Sequence, residues 1–461
     1  MSETMADSVT ERKLWFEGPN RTADAVIIDD SVDQILLIER ADTGDWALPG
    51  GFVDETDDSA HTAAVREAFE EAGIVLESDG LPVFTGTVDD PRNSPTAWIE
   101  TSAFLFNADS NTAVEGSDDA AKAAWFPVGE LPRLYASHER IVRTALDWRS
   151  GLTELCGSDM ITFMRPVDGG HMQYDKHLLE SEGRLLFSKA HRDENFTDAH
   201  KAERSKLYLK KEADVMSHLR TNGFRAIPRH SVLLDSTLFM DGLSPDDDWH
   251  WRAPDGGRVR RYIEDTLTAF KELEEAPLMS ETFDIEPSYQ SFRREGWEAL
   301  DDEMIATLME RATLFEPRMT ETSRQAALRL MARLPELKHE ALKPHMPERF
   351  VASHHDARQS NIAWHPDHGV KMVDWSWFGA GEPGSDATNF LIDIHKSGHD
   401  ISDYIDALNP HHCLMLIGFW LAHACWPIHT SDDSVRFQQF VSAVSAYEVL
   451  TEVSGADGAG A

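Results

Sequence analysis

Three glutamates, Glu67, Glu70 and Glu71, are spaced to fall on one side of a helix. Residues three and four apart are neighbours there, so the carboxylates gather, each like-charged pair costing about 0.2–0.5 kcal/mol unless a cation sits among them. Hard divalent cations take such oxygen ligands. A second constellation stands far downstream: His354-His355-Asp356, then Asn361, then Asp374. Phosphoryl transfer to a hydroxyl needs one carboxylate to accept the proton and separate oxygens to hold a divalent cation on the nucleotide. Asp356 suits the first task, and Asn361 and Asp374 the second. Lys189 and Glu212 are candidates for the ion pair that positions ATP phosphates.

Regular elements must hold these groups. Ala25-Val-Ile-Ile and Gln34-Ile-Leu-Leu-Ile-Glu read as buried strands leading to Leu48-Pro-Gly-Gly51 and an acidic loop. A helix follows, its first turn capped by Asp58 or Ser59, with Ala64, Ala68 and Ala72 as a narrow packing face opposite the glutamates. Beyond a Gly- and Ser-containing stretch around 150–158 the order becomes strand, turn, strand, helix and two more strands, with Lys189 ending the third strand and Glu212 on the helix. Residues 244–350 read as helical and charged, and the apolar run Cys413 to Pro427 as a buried helix.

The run from Gly51 through Arg66-Glu67-Ala-Phe-Glu70-Glu71-Ala-Gly73-Ile74 resembles the Nudix box. Six residues instead of five separate Gly51 from Asp58, and Asp stands where that family has Glu. The resemblance implies that Asp58 makes a structural contact to Arg66. It also implies that Glu67, Glu70 and Glu71, with the Gly51 carbonyl, hold Mg2+ (or Mn2+) against a diphosphate for metal-assisted attack of water.

Further pieces, Gly18-Pro-Asn20, Gly44-Asp-Trp46, Val88-Asp-Asp90-Pro-Arg92-Asn93, Ala97-Trp98-Ile-Glu100-Thr101 and Leu134-Tyr135-Ala-Ser-His138, resemble the mitochondrial ADP-ribose pyrophosphatase subfamily. The implied activity is hydrolysis of ADP-ribose to AMP and ribose 5-phosphate. Asp90 and Arg92 would contact the ribose and phosphate side, and Tyr135 and His138 the other end. Asp90-Pro-Arg92-Asn93 also has the composition of a turn, and Tyr135 that of half-buried packing. The same pieces occur in the ADP-ribose-sensing domain of a cation channel, so the alternative is a sensor regulating the second half. The intact Arg66-Glu67 and Glu70-Glu71 pairs favour hydrolysis.

The second half resembles the aminoglycoside phosphotransferase and choline kinase-like superfamily, in which Asp356 corresponds to the catalytic Asp and Asn361 and Asp374 to metal ligands. Asp386, after Gly381-Glu-Pro-Gly, fits the same pattern. The best candidate for a Gly-rich phosphate loop is Asp168-Gly-Gly170-His. The resemblance implies ATP as co-substrate and a small-molecule phosphoryl acceptor. His411, His412 and His423 invite a metal assignment, but the helix that carries them reads better as core.

The expected fold class is α+β in two domains, a Nudix α/β/α sandwich with a mixed sheet followed by a bilobal protein-kinase-like fold. The expected bounds are 1–150, a linker at 151–159, and 160–461, with a small lobe at about 160–243 and a large lobe at about 244–455. With 43 Lys plus Arg against 81 Asp plus Glu in 461 residues, the net charge is -38. Such a field repels nucleic acid and anionic membrane and is read as solvation in the salty cytoplasm of a halophile. The partners that the two resemblances imply are small-molecule substrates. Three cysteines, with no close pair, fit a reducing compartment and exclude a disulfide framework.

Overall fold

Ala25, Val26, Ile27 and Ile28 are all buried because their strand, β1 (Gly18–Asp29), lies inside its sheet and is covered on both faces. This computed structural model describes residues 14, 16–29, 31, 33–76, 80–157, 163–167, 174–191, 196, 198–234, 236–279, 288–428 and 433–454. After β1 come β2 (Gln34–Arg40), β3 (Trp46–Ala47), β4 (Gly50–Phe52) and the helix α1 (Ala60–Ala72). β5 (Leu81–Thr87), β6 (Ala97–Asn107), β7 (Ala120–Pro127) and α2 (His138–Cys156) complete the first domain. The sheet is mixed, ordered β3-β2-β1-β6-β5, with β4 added to β1 and β7 to β2. β6 runs parallel to β1 from Gly18 opposite Ala97 to Ile28 opposite Asn107, while β2 and β4 run antiparallel to β1.

α1 begins where the Ser59 hydroxyl accepts the Thr62 N–H and ends at Gly73, whose φ of 68° closes the last turn. Its small residues Ala64, Ala68 and Ala72 pack against Ala23, Ala25 and Ile27. Close approach of this alanine face carries Glu67 and Glu71 inward, so both are buried. α2 continues to Cys156 and is capped by Gly157 at φ 75°, so residues 151–156, expected as linker, are instead the end of a helix. Gly151 is buried inside it, a packing position and not a break.

The second domain opens with β8 (Phe163–Pro166), β9 (Asp175–Ser181), β10 (Arg184–Ala190), α3 (Ala199–Thr221), β11 (Ser231–Leu234) and β12 (Thr237–Asp241). Its sheet is ordered β11-β12-β10-β9-β8. Among the described residues four α-helices follow, α4 (Arg258–Glu274), α5 (Ser288–Arg293), α6 (Asp302–Phe315) and α7 (Glu321–Ala341). Two short ribbons then form, β13 (Val351–Ser353) with β16 (Gly379–Gly381), and β14 (Ile362–His365) with β15 (Gly369–Met372). The end is helical: α8 (Ser385–Lys396), α9 (Pro410–Ala424) and α10 (Ser434–Ser454). Trp297, Trp364, Trp375, Tyr262 and Phe390 are fully buried in this core. α9 belongs to it, with the Trp297 indole N–H donating to Leu414 O at 2.7 Å. By internal contacts the chain divides into Met1–Pro166 with His177–Arg184, and Val167–Lys176 with Leu185–Ala461, so that β8 and most of β9, members of the second sheet by pairing, fall in the first unit. The class is α+β, a mixed-sheet domain and a kinase-like one.

Candidate active sites

Arg66 organises the first site. Its Nη1 donates to Glu67 Oε1 and to Glu70 Oε2, both at 2.8 Å, and its Nη2 to Phe52 O at 3.0 Å. Both Asp57 oxygens accept from it, Oδ1 from Nε at 3.1 Å and Oδ2 from Nη2 at 2.9 Å. The expected partner, Asp58, is exposed and holds no such place. The correction has a local cause: the Asp54 N–H donates to Asp57 Oδ2 at 2.8 Å, fixing a turn that aims Asp57 at the helix. Five residues separate Gly51 from Asp57, so the extra residue of the loop falls after the acid, just before Ser59 starts the helix.

Glu67 and Glu70 thus share one guanidinium, whereas Glu71 turns to the strand, its Oε2 accepting the Gly50 N–H at 2.9 Å. Burial pushes the Glu71 carboxyl up to about 8 even though the Gly50 N–H opposes the shift, and burial also raises Glu67. A side chain at Gly51 would meet the end of the Glu67 side chain, so glycine lets this backbone lie against that acid without displacing the carboxylate. Buried carboxylates beside a close-lying peptide form an all-oxygen donor set, which fits a hard divalent cation such as Mg2+ or Mn2+.

Asp90 and Arg92 form a fork: Arg92 Nε and Nη2 donate to the two Asp90 oxygens at 2.8 Å each. The Tyr135 hydroxyl lies 3.5 Å from Asp90 Oδ2. Arg40, the last residue of β2, sets its guanidinium 4.5 Å from the Tyr135 ring centre. Its charge acts on Glu71, Asp90, Tyr135 and His138 alike, so it stands electrostatically between the glutamates and the Asp90 pocket. Sequence reasoning missed Arg40. The available signal was a cation at a strand end, directly before the Asp42 to Trp46 turn. His138 is partly buried, its Nδ1 accepting the Leu48 N–H at 2.8 Å. Burial lowers its pKa, and the neutral ring ties the start of α2 to the Leu48-Pro-Gly-Gly51 turn.

In the second domain the Lys189 ammonium donates to Glu212 Oε2 at 2.8 Å and to Asp374 Oδ1 at 3.2 Å. The Asp374 N–H returns to Glu212 Oε1 at 2.9 Å, so strand β10, helix α3 and the segment after β15 meet in one network. Tyr174 lies under the ammonium, 4.7 Å from its ring centre. Asp356 Oδ2 accepts from Asn361 Nδ2 at 2.9 Å and faces Arg358 Nη2 at 3.2 Å. Burial, followed by the Asp374 charge among the raising influences, holds the Asp356 carboxyl above its ordinary value. Asp386 supports this loop from below, its two oxygens accepting the His354 and His355 N–H groups at 2.7 and 2.9 Å. His355 and Asp374 both adopt a φ of 65°, a left-handed backbone uncommon outside glycine but tolerated by His, Asp and Asn. The oxygens of Asn361 and Asp374 suit a divalent cation. The Asp168-Gly-Gly170-His loop lies outside the described residues. His412 and His423 do not join His411: His423 Nδ1 bonds Phe419 O of its own helix at 2.7 Å, and His412 packs edge-on to Phe292.

Residues 18–145 match the family described as NUDIX domain, and residues 165–412 match the Phosphotransferase enzyme family. The first domain is 30% identical over 181 residues to the mitochondrial ADP-ribose pyrophosphatase of Rattus norvegicus, covering 31% of this chain and 52% of that protein. It is 38% identical over 141 residues to nudix hydrolase 6 of Caenorhabditis elegans, covering 27% of this chain and 54% of that one. The chain therefore spans about half the length of these relatives. It is also 32% identical over 133 residues to the ADP-ribose pyrophosphatase of Methanocaldococcus jannaschii, covering 28% of this chain and 76% of that protein. With a Nudix domain ahead of it, the chain belongs to the phosphotransferase enzyme family, and through its first domain it belongs to the Nudix family as well.

Proposed function

We propose that the first domain hydrolyses ADP-ribose to AMP and ribose 5-phosphate, and that the second transfers a phosphoryl group from ATP to a hydroxyl of a small molecule. One observation carries the first reading: the Glu67 and Glu71 carboxylates stand against Gly50-Gly51, Arg66 ties Glu67 to Glu70, and the charge of Arg40 acts both on Glu71 and on the Asp90 and Tyr135 pocket. Similarity to ADP-ribose pyrophosphatases supports the choice of substrate.

Water adds to one phosphorus of the diphosphate, the bridging oxygen leaves with the other phosphate, and a carboxylate of the cluster takes the proton. A divalent cation held by Glu67, Glu70, Glu71 and the Gly51 carbonyl would neutralise phosphate charge and acidify the attacking water. Arg92, forked on Asp90, presents guanidinium to phosphate oxygens, and Asp90 accepts from ribose hydroxyls. In the second domain Asp356 accepts the proton of the acceptor hydroxyl as the γ-phosphoryl moves, and Lys189, fixed by Glu212, holds the ATP phosphates.

The test is product analysis by chromatography in molar KCl with Mg2+ and ADP-ribose, beside a Glu70→Gln, Glu71→Gln double variant. AMP and ribose 5-phosphate from the parent alone establish hydrolysis; tight binding without products overturns it in favour of sensing. A screen of sugars, nucleosides and amino alcohols with ATP, with Asp356→Asn as control, finds the acceptor. ATP consumption equal in parent and Asp356→Asn rejects the phosphotransfer reading.

A further inference from the structure

Away from the Asp356 loop, three side chains from separate segments of the second domain converge on one point. His411, in the first turn of α9, sets Nδ1 2.9 Å from Glu382 Oε1 and 3.2 Å from Oε2. His345, in the segment after α7, brings Nε2 to 3.3 Å from the same Oε1. The two imidazoles are stacked, ring centres 3.4 Å apart and planes 20° from parallel. One ligand atom from each of the three residues lies within 4.8 Å of the others. Asn409 Nδ2 donates to Glu382 Oε2 at 3.2 Å and orients the carboxylate from behind.

As stacked, the two rings send their nitrogen lone pairs side by side, and a turn of the exposed His345 about its side-chain bonds brings both to the ground beside Glu382, which is how imidazole binds a metal. Ligand atoms around a tetrahedral Zn2+ with bonds of 2.0–2.2 Å lie about 3.3–3.6 Å apart. The observed 2.9 and 3.3 Å are near that spacing. Two nitrogens and one oxygen select a borderline transition ion over Mg2+. Glu382 is buried while His345 is exposed, so the trio opens to solvent on one side.

We propose that His345, Glu382 and His411 bind Zn2+ with a solvent-facing fourth position. The ion would join the segment after α7, the turn between β16 and α8, and the start of α9. That turn also places Asp386, which holds the His354 and His355 N–H groups, so the site braces the frame of the Asp356 loop.

The experiment uses the full chain, stripped by chelator and titrated with Zn2+ against a competing chelator, in the Glu70→Gln, Glu71→Gln background that removes two of the three carboxylates of the first-domain cluster. One equivalent is expected. His345→Ala and His411→Ala should each weaken it by at least about 10- to 100-fold, the loss that even outer-sphere changes bring. Co2+ should give the visible bands of a four-coordinate ion, lost in His345→Ala and joined by a thiolate charge-transfer band in His345→Cys. Circular dichroism checks folding, and the exposed His345 decides should the His411 variant unfold. No Zn2+ equivalent, an equivalent indifferent to His345→Ala, or Co2+ bands unchanged in His345→Cys would overturn the proposal.

Discussion

Asp57 grips Arg66 through both carboxylate oxygens, at 3.1 Å from Nε and 2.9 Å from Nη2. The guanidinium is thereby turned so that its remaining edge reaches Glu67 and Glu70. Asp57→Ala should lower kcat for ADP-ribose hydrolysis about 10- to 100-fold, the scale of losing support behind a metal site, and destabilise the first domain by about 1–2 kcal/mol. Asp58→Ala should change neither. Steady-state kinetics with urea unfolding on the two variants decide between adjacent aspartates, and equal effects would reject the assignment.

His355 makes stability fall in acid. Burial, then the charges of His412, His354 and Lys211, push its pKa down to about 3 from the ordinary 6.5. Between these values the unfolded chain binds a proton that the folded chain refuses. The stabilisation is complete above pH 6.5 and is lost as pH falls towards about 3. His355→Asn, which tolerates the left-handed backbone, should reduce the slope of unfolding free energy in this window by up to about 1.4 kcal/mol per pH unit. Denaturant melts from pH 4 to 7 that keep the parental slope would count against this account.

The Lys189 and Glu212 pair should show two separable effects. Lys189→Met leaves Glu212 buried without its cation and should cost about 3–5 kcal/mol. The double variant Lys189→Met, Glu212→Gln should regain most of that stability yet transfer no phosphate from ATP. Recovery of both stability and activity would mean that the pair is only structural.

Arg92→Lys keeps the charge but cannot reproduce the fork on Asp90. The loss of one charge-assisted hydrogen bond, about 1.5–3 kcal/mol, should raise KM for ADP-ribose about 10- to 100-fold with a smaller change in kcat. Arg40→Ala should act in the same direction, because its guanidinium rests on Tyr135. An unchanged KM in both would remove this pocket from substrate binding.

The chemistry-bearing runs were legible because their meaning lies in local spacing: Arg66 to Gly73 on one helix, and Asp356 to Asp374 on one loop and ribbon. Neighbouring Asp57 and Asp58 are alike as letters, and only the turn made by Asp54 and the start of α1 at Ser59 distinguish them. Gly151 reads as a break, yet tertiary burial keeps it helical. Arg40 and His345 reach their neighbours from tens of residues away, a closeness that no periodicity encodes.

The left-handed backbone at Asp374 narrows the routes by which this domain can decay. Most replacements there strain the chain and are removed with the misfolded protein, but asparagine adopts the same conformation and is a single base change away from aspartate. Inactive descendants of this protein should therefore accumulate as well-folded pseudoenzymes carrying Asn at that position, and not as unstable fragments.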